Sequence, residues 1–320
     1  MKVSSLPPAK IKGRFAAHIR IMRLDHSIKQ IFIVPGIVLA MAMTHSGMTA
    51  SLAFRIAIGL IASTLIACSN YVVNEILDAP FDRLHPTKRS RPAAAGLVHL
   101  GWGYTQWIAM MLAGMALAST LGRDFFLSAA ALWIMGCIYN IRPLRSKDLP
   151  YVDVLSESIN NPLRFCLGWY SVVTVMLPPA SLLVSYWMLG CYFMSLKRFS
   201  EYRQIADPAK AASYRKSFAH YSEESLLNSA TFYAAACMLF FGAFMMRYRI
   251  ELILSFPLVA WLMAVYFSLS FRHESAVQNP EHLYREPRLM IPLFLCVVLI
   301  GTLLFVDVPW IGAMFPRSTP

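Results

Sequence analysis

Residues 51–92 read SLAFRIAIGLIASTLIACSNYVVNEILDAPFDRLHPTKRSRP. The first part is apolar and long enough to cross the hydrocarbon of a bilayer, which takes about 20 helical residues. The run then closes on Asn74, Glu75, Asp78 and Asp82 and passes within a few residues into Arg83, Lys88, Arg89 and Arg91. An apolar span ending in acids and then cations reads as a membrane helix with a polar site at its mouth. Asn74, Asp78 and Asp82 recur every four residues, so a helix carries them on one face. Carboxylates at the edge of a bilayer are costly unless paired, hydrated or bound to metal. Two acids and an amide are hard oxygen ligands, the set Mg2+ takes when it also holds substrate phosphates; a solvated helix end is the plainer alternative. Pro80 clashes with the carbonyl of Ile76, which predicts a kink or stop near Ala79 and puts Asp82 on the following turn.

The rest of the chain is of the same kind. Its 320 residues are 57% hydrophobic and 14% charged, with mean hydropathy +0.52, whereas soluble domains run near 45–50% apolar and about 25% charged. That excludes a soluble globule; low charge and scattered glycines exclude disorder and collagen, and no heptad persists. The fold class is an all-α integral membrane protein. About nine stretches can span: 28–45, 52–77, 101–121, 125–140, 152–175, 178–197, 225–247, 252–271 and 289–310. With nine crossings and a cytoplasmic N-terminus, 23 of the 29 Lys and Arg fall on the cytoplasmic side and five on the other, the bias that short inner loops carry. This bias accounts for most of a net charge of +12 and predicts a plasma (inner) membrane location. A basic cytoplasmic segment, 1–27, precedes one transmembrane domain, 28–315. The cytoplasmic loops are also the long ones, and such loops on a rigid scaffold carry function.

The six cysteines sit singly in apolar runs, which argues against a disulfide framework or a zinc site. No GxGxxG, GxxxxGK[ST], HExxH or GxSxG is present, so neither a nucleotide fold nor a familiar hydrolase is supported. Nucleic acid is not an expected partner.

A second constellation follows at Asp153, Glu157, Asn160, Asn161 and Arg164, whose offsets trace one stripe of a single helix. A polar stripe that deep predicts a cavity inside the bundle; a structural network with Arg164 as counter-ion is the alternative. Asp153 and Glu157 form a second acidic pair that could hold a second metal. Arg142, Arg145 and Lys147, and Lys197, Arg198 and Glu201, converge on the same side. Cations beside metal ligands suit a substrate with several phosphates. Tyr139, Tyr202 and Tyr221 read as interfacial aromatics.

These motifs resemble the UbiA superfamily of intramembrane prenyltransferases: nine helices, NxxxDxxxD after helix 2, a DRxxPxxxxRP continuation and a DxxxD-like opening of helix 5. Asp82 to Gly96, Lys147 and Pro150 ahead of Asp153, Leu163-Arg164, Lys197-Arg198 with Glu201, and Arg215-Lys216-Ser217 are most similar to the decaprenyl-phosphate phosphoribosyltransferase branch. The resemblance implies a bundle around a cavity open to the cytoplasmic face. It also implies transfer of 5-phosphoribosyl from phosphoribosyl diphosphate to a polyprenyl phosphate. Asn74, Asp78 and Asp82 would hold Mg2+ and the diphosphate, and Asp153 with Glu157 the second site. Arg83, Lys88, Arg89, Lys147, Arg164 and Lys197 would bind substrate. Prenyl transfer from a polyprenyl diphosphate to a lipophilic acceptor is the alternative reaction, and a lipid-phosphate transporter the remote one.

Overall fold

The computed structural model describes residues 8–83, 88–205, 207–272, 275–278 and 280–315, and every regular element among them is helical. α1 (Pro8–Arg20) leads to a 3-10 segment, Leu24–Ile33, that continues as α2 (Val34–Thr44). There follow α3 (Ala50–Asp82), α4 (Leu100–Ser119), α5 (Arg123–Asn140), α6 (Val152–Ser158), α7 (Asn160–Val172), α8 (Ala180–Ile205), α9 (Pro208–Tyr214), α10 (Glu223–Tyr248), α11 (Phe256–Ser270), α12 (Pro287–Phe305) and α13 (Pro309–Met314).

Five segments are long and apolar enough to cross a membrane: Ser27–Thr44, Ala50–Asp82, Glu223–Tyr248, Ile250–Ser270 and Pro287–Phe305. The other four expected stretches are helical too, as α4, α5, the pair α6 and α7, and α8. α8 is diluted in hydropathy because its last turns carry Lys197, Arg198, Glu201 and Arg203. Phe54, Phe232, Phe294 and Trp261 stand exposed on the outside of the bundle, an arrangement that lipid accepts and water penalises. The chain is an integral membrane helical protein.

α3 packs lengthwise on α4, α8 packs on α10, and α2 and α5 both lean on α7. The contact of α2 with α7 is made by two glycines: a Cβ at Gly36 would run into the Phe165 carbonyl, and one at Gly168 into the Ile33 carbonyl. Lipid tails supply no hydrophobic drive between helices, so close backbone approach through small residues takes its place. Phe125, Leu132, Phe165 and Trp169 fill the interior beside that contact. All six cysteines are free, four of them buried and Cys137 and Cys166 partly so.

Two local expectations fail. α3 runs through Pro80 to Asp82 instead of stopping at Ala79. Pro80 lies in the last turn, where one missing donor matters little, and the Arg83 N–H still reaches the Ala79 carbonyl at 3.2 Å. The helix expected over 152–175 is divided at Ile159 into α6 and α7. Pro162 has no N–H to give the Ser158 carbonyl, so the helix restarts with proline in its first turn, where it is tolerated. Ile159 itself keeps helical dihedrals, φ −59° and ψ −21°, and its N–H still reaches the Leu155 carbonyl at 3.1 Å.

Candidate functional site

The end of α3 meets the loop after α5. Asp78 Oδ1 accepts from Lys147 Nζ at 2.5 Å and from the Arg145 guanidinium at 3.0 Å. Asn74 donates to the other Asp78 oxygen at 3.3 Å and to Asn140 Oδ1 at 2.5 Å, and that amide oxygen also accepts from Lys147 at 2.8 Å. Asn140 is aimed by its own amide, which donates to the Gly136 carbonyl one turn back at 2.9 Å. Arg145 lies 5.0 Å over the Phe81 ring and 3.2 Å from Asp148. The loop turns its cations inward through a 3-10 turn, Ser146–Asp148, entered at Arg145 with φ of 26°, a conformation kept only where surrounding contacts over-determine it. Lys147 is 4% exposed. Burial, with Arg145 and Arg215 nearby, pushes its ammonium down to about 8 against the pull of Asp78.

The basic loop after α3 is strapped back onto that helix. Arg91 pairs with Asp82 at 2.7 Å, Arg83 Nε donates to the Ala94 carbonyl at 3.1 Å, and Glu75, buried, accepts from the Ala93 N–H at 3.3 Å. Glu75 thus anchors the loop, while Asn74 and Asp78 meet the loop after α5 and Asp82 meets Arg91. Leu84, His85, Pro86 and Thr87 of the DRxxPxxxxRP motif lie outside the described residues. Lys88 is driven down to about 8 by burial, opposed by Glu201, so it stands in reach of the end of α8; Asp82 also acts on it. Arg89 is exposed.

Asp153 does not meet Glu157. It is 0% exposed, and Oδ2 accepts from Arg198 and Arg215, both at 3.1 Å, and from Ser217 at 3.3 Å, while Oδ1 accepts from Tyr221 at 2.6 Å. Arg198 also pairs with Glu201 at 2.9 Å, and both guanidiniums donate to the Tyr139 hydroxyl, at 3.4 and 3.5 Å. Glu157 points elsewhere, 27% exposed and 4.0 Å from Lys29, with Arg198, Arg164 and Lys197 near enough to act on its charge. Tyr139 and Tyr221, expected as interfacial aromatics, are core members of this network because a buried carboxylate and two guanidiniums need hydroxyl partners. Asn140 is not singled out by the sequence, and Arg145 and Arg215 are singled out there only as a converging loop cation and as part of a family-like stretch. The signal for the first two is their place at the end of α5, immediately ahead of Lys147.

Among the described residues, no three acidic, histidine or cysteine side chains form a ready metal cluster. Mg2+ does not need one, since it is held by one or two carboxylates with substrate phosphates and water. Asp78 beside Asn74, with Asp82 one turn on, fits that donor chemistry. Both carboxylates carry protein donors, but Asp153 is 0% exposed and enclosed by two guanidiniums and two hydroxyls, whereas Asp78 shares its oxygens with Lys147, Arg145 and Asn74.

Residues 32–295 match the UbiA prenyltransferase family. The chain belongs to this family. Decaprenyl-phosphate phosphoribosyltransferase of Mycolicibacterium smegmatis is 28% identical over 194 residues, 60% of this chain and 58% of that protein. The protein of the same description from Corynebacterium glutamicum is 29% identical over 173 residues, 52% of this chain and 49% of its own. The chain thus spans about half to three fifths of the length of these relatives. A UbiA homolog from Archaeoglobus fulgidus bound to GPP and Mg2+ superposes with TM-score 0.64 at 18% identity, covering 90% of this chain and 99% of that one. The same homolog bound to DMAPP and Mg2+ gives TM-score 0.66 at 18% identity, covering 91% and 99%. At these identities the likeness is one of fold.

Proposed function

We propose that this UbiA-family chain is a Mg2+-dependent transferase that moves 5-phosphoribosyl from phosphoribosyl diphosphate to a polyprenyl phosphate. The observation that carries the reading is the cation group on Asp78, where buried Arg145 and Lys147 share one carboxylate oxygen beside the amides of Asn74 and Asn140. Two cations converging on one carboxylate oxygen suit a phosphorylated substrate, and the family relatives described as decaprenyl-phosphate phosphoribosyltransferases support the same choice. Asn74, Asp78 and Asp82 would hold the ion; Glu157, the further ligand the family resemblance implies, lies instead beside Lys29. When bound, Mg2+ neutralises charge on the diphosphate leaving group.

The chain's own residues do the rest. Lys147 and Arg145 hold the diphosphate oxygens by charge-assisted hydrogen bonds, Lys88 and Lys197 close on the remaining phosphates, and exposed Arg83 and Arg89 attract them from solution. The C1–O bond of the donor breaks with its electron pair leaving on the diphosphate, and an oxygen of the lipid phosphate bonds to C1. The acceptor is already an anion, so no general base is required, and stabilisation of charge in a dry pocket carries the barrier. Asp153 is assigned an anchoring part: it ties α6 to α8 and to the segment supplying Arg215, Ser217 and Tyr221. In this reading the nine helical stretches all cross the membrane, with the N-terminus, segment 1–27 and the site on the cytoplasmic side of domain 28–315.

Prenyl transfer to a lipophilic acceptor is the second reading, favoured by the fold shared with a homolog bound to GPP and DMAPP. Purified protein in Mg2+ is given labelled phosphoribosyl diphosphate with polyprenyl phosphate, and separately a labelled prenyl diphosphate with aromatic acceptors. Label entering lipid in the first mixture alone supports the proposal. Label entering product in the second alone refutes it, and movement of lipid without a covalent product favours a transporter.

A further inference from the structure

Arg164 is 7% exposed, its Nε is buried with no hydrogen-bond partner, and no carboxylate lies at ion-pair distance from it among the described residues. A buried guanidinium without a partner is expensive to keep, and neither the Asp78 group nor the Asp153 network uses it. It is held inside the bundle because α7 is pinned there on both sides of it, by Pro162 in its first turn and by the tight contact of Gly168 with the Ile33 carbonyl.

Its neighbours describe what would fill the gap. Arg164 lies seven residues beyond Glu157, roughly 10 Å farther from the cytoplasmic end at 1.5 Å per residue. Lys29, 4.0 Å from Glu157, acts on that carboxylate together with Arg198, Arg164 and Lys197. Asn160, one turn before Arg164, has a buried Oδ1 that lacks a donor; it calls for a water or hydroxyl and is no part of the anion's own contacts. Aromatic side chains stand nearby: Tyr186, close enough to feel the Arg164 charge, packs 5.6 Å from Phe165 and 6.0 Å from Phe32. Cations beside aromatic side chains, inside a membrane bundle, fit an anionic head carrying an apolar chain.

We propose that Arg164, with Lys29 and Lys197, forms a second anion subsite that receives the phosphate of the lipid acceptor, apart from the Asp78 group that would hold the donor's diphosphate. The assignment of this anion as the acceptor rests on the transfer reaction given above; the subsite itself rests on Arg164.

The test measures binding without Mg2+ and without phosphoribosyl diphosphate, so that catalysis is not involved. Detergent-purified protein is titrated with geranylgeranyl phosphate, with geranylgeraniol, and with inorganic phosphate as competitor, followed by native mass spectrometry. Wild type should bind the lipid phosphate at least about tenfold more tightly than the alcohol. Arg164→Gln should abolish that preference while leaving alcohol binding within about twofold. Arg164→Lys should restore part of it, and Lys197→Gln should weaken it without altering the melting temperature. Equal binding of phosphate and alcohol by wild type, a preference that survives in R164Q, or displacement by inorganic phosphate as effective as by the lipid would overturn the subsite. A subsite that passes, in a protein that then transfers only prenyl groups in the label assay, overturns the reaction and leaves the subsite standing.

Discussion

Replacing Asp153 by Asn separates an anchoring carboxylate from a metal ligand. The substitution keeps shape, but its single amide oxygen can accept in place of Oδ1, from Tyr221, or of Oδ2, from Ser217, and not both, and it removes the charge that faces two guanidiniums at 3.1 Å. Taking one partner from a buried ion pair costs about 3–5 kcal/mol, because the other charge is left uncompensated. Arg198 keeps Glu201 at 2.9 Å, and Arg215 keeps the Tyr139 hydroxyl at 3.5 Å with partial access to solvent. The lower end, about 3 kcal/mol, is therefore expected. That loss falls on the segment from 207 to 222, which is tied to the bundle through Arg215, Ser217 and Tyr221. About 3 kcal/mol raises the population of a locally opened segment about a hundredfold. Hydrogen exchange followed by mass spectrometry in nanodiscs should show the amides of 207–222 exchanging about a hundredfold faster in D153N, with the Mg2+ dependence of any remaining activity unmoved. Unchanged exchange there, together with a raised Mg2+ requirement, refutes the anchoring assignment and returns Asp153 to the metal.

Asp78→Asn should lower kcat/KM by about a hundredfold or more, since it removes the carboxylate shared by Lys147 and Arg145 and the leading candidate ligand for Mg2+; a loss under about threefold contradicts its role. The pH profile has a definite sign. A lysine is charged below its pKa, and Lys147 and Lys88 both sit at about 8, so kcat/KM for an anionic substrate should fall as pH rises through that value. Lys147→Arg stays charged throughout and should make the fall shallower; an identical profile in wild type and variant removes Lys147 from substrate binding. Gly168→Ala puts a methyl group against the Ile33 carbonyl and should destabilise the α2–α7 contact by about 1–3 kcal/mol, seen as a lower melting temperature in detergent.

The helices and the membrane were legible because hydropathy is a local property, and the Asn74, Asp78, Asp82 row because its four-residue spacing survives any packing of α3. What escaped depended on distance along the chain. Asp153 looks like half of an acidic pair with Glu157 until α8 and the segment after α9 deliver Arg198, Arg215 and Tyr221, from 45, 62 and 68 residues away, to its two oxygens. No periodicity encodes that meeting. The division of 152–175 turns on a single missing N–H at Pro162, opposite the Ser158 carbonyl, a signal present in the sequence. Pro80 is the converse: the same missing donor in the last turn of α3 changes nothing, because helix ends tolerate it.

The most direct measurement of the central claim offers the enzyme both donors at once. Wild-type protein in Mg2+ is mixed with polyprenyl phosphate, phosphoribosyl diphosphate, a prenyl diphosphate and an aromatic acceptor, and the lipid fraction is resolved by mass spectrometry. The account predicts one new lipid, polyprenyl phosphate joined to ribose 5-phosphate, formed with equimolar diphosphate and absent with EDTA or in D78N. A prenylated aromatic product in its place, or the ribosylated lipid forming undiminished in EDTA, would contradict it.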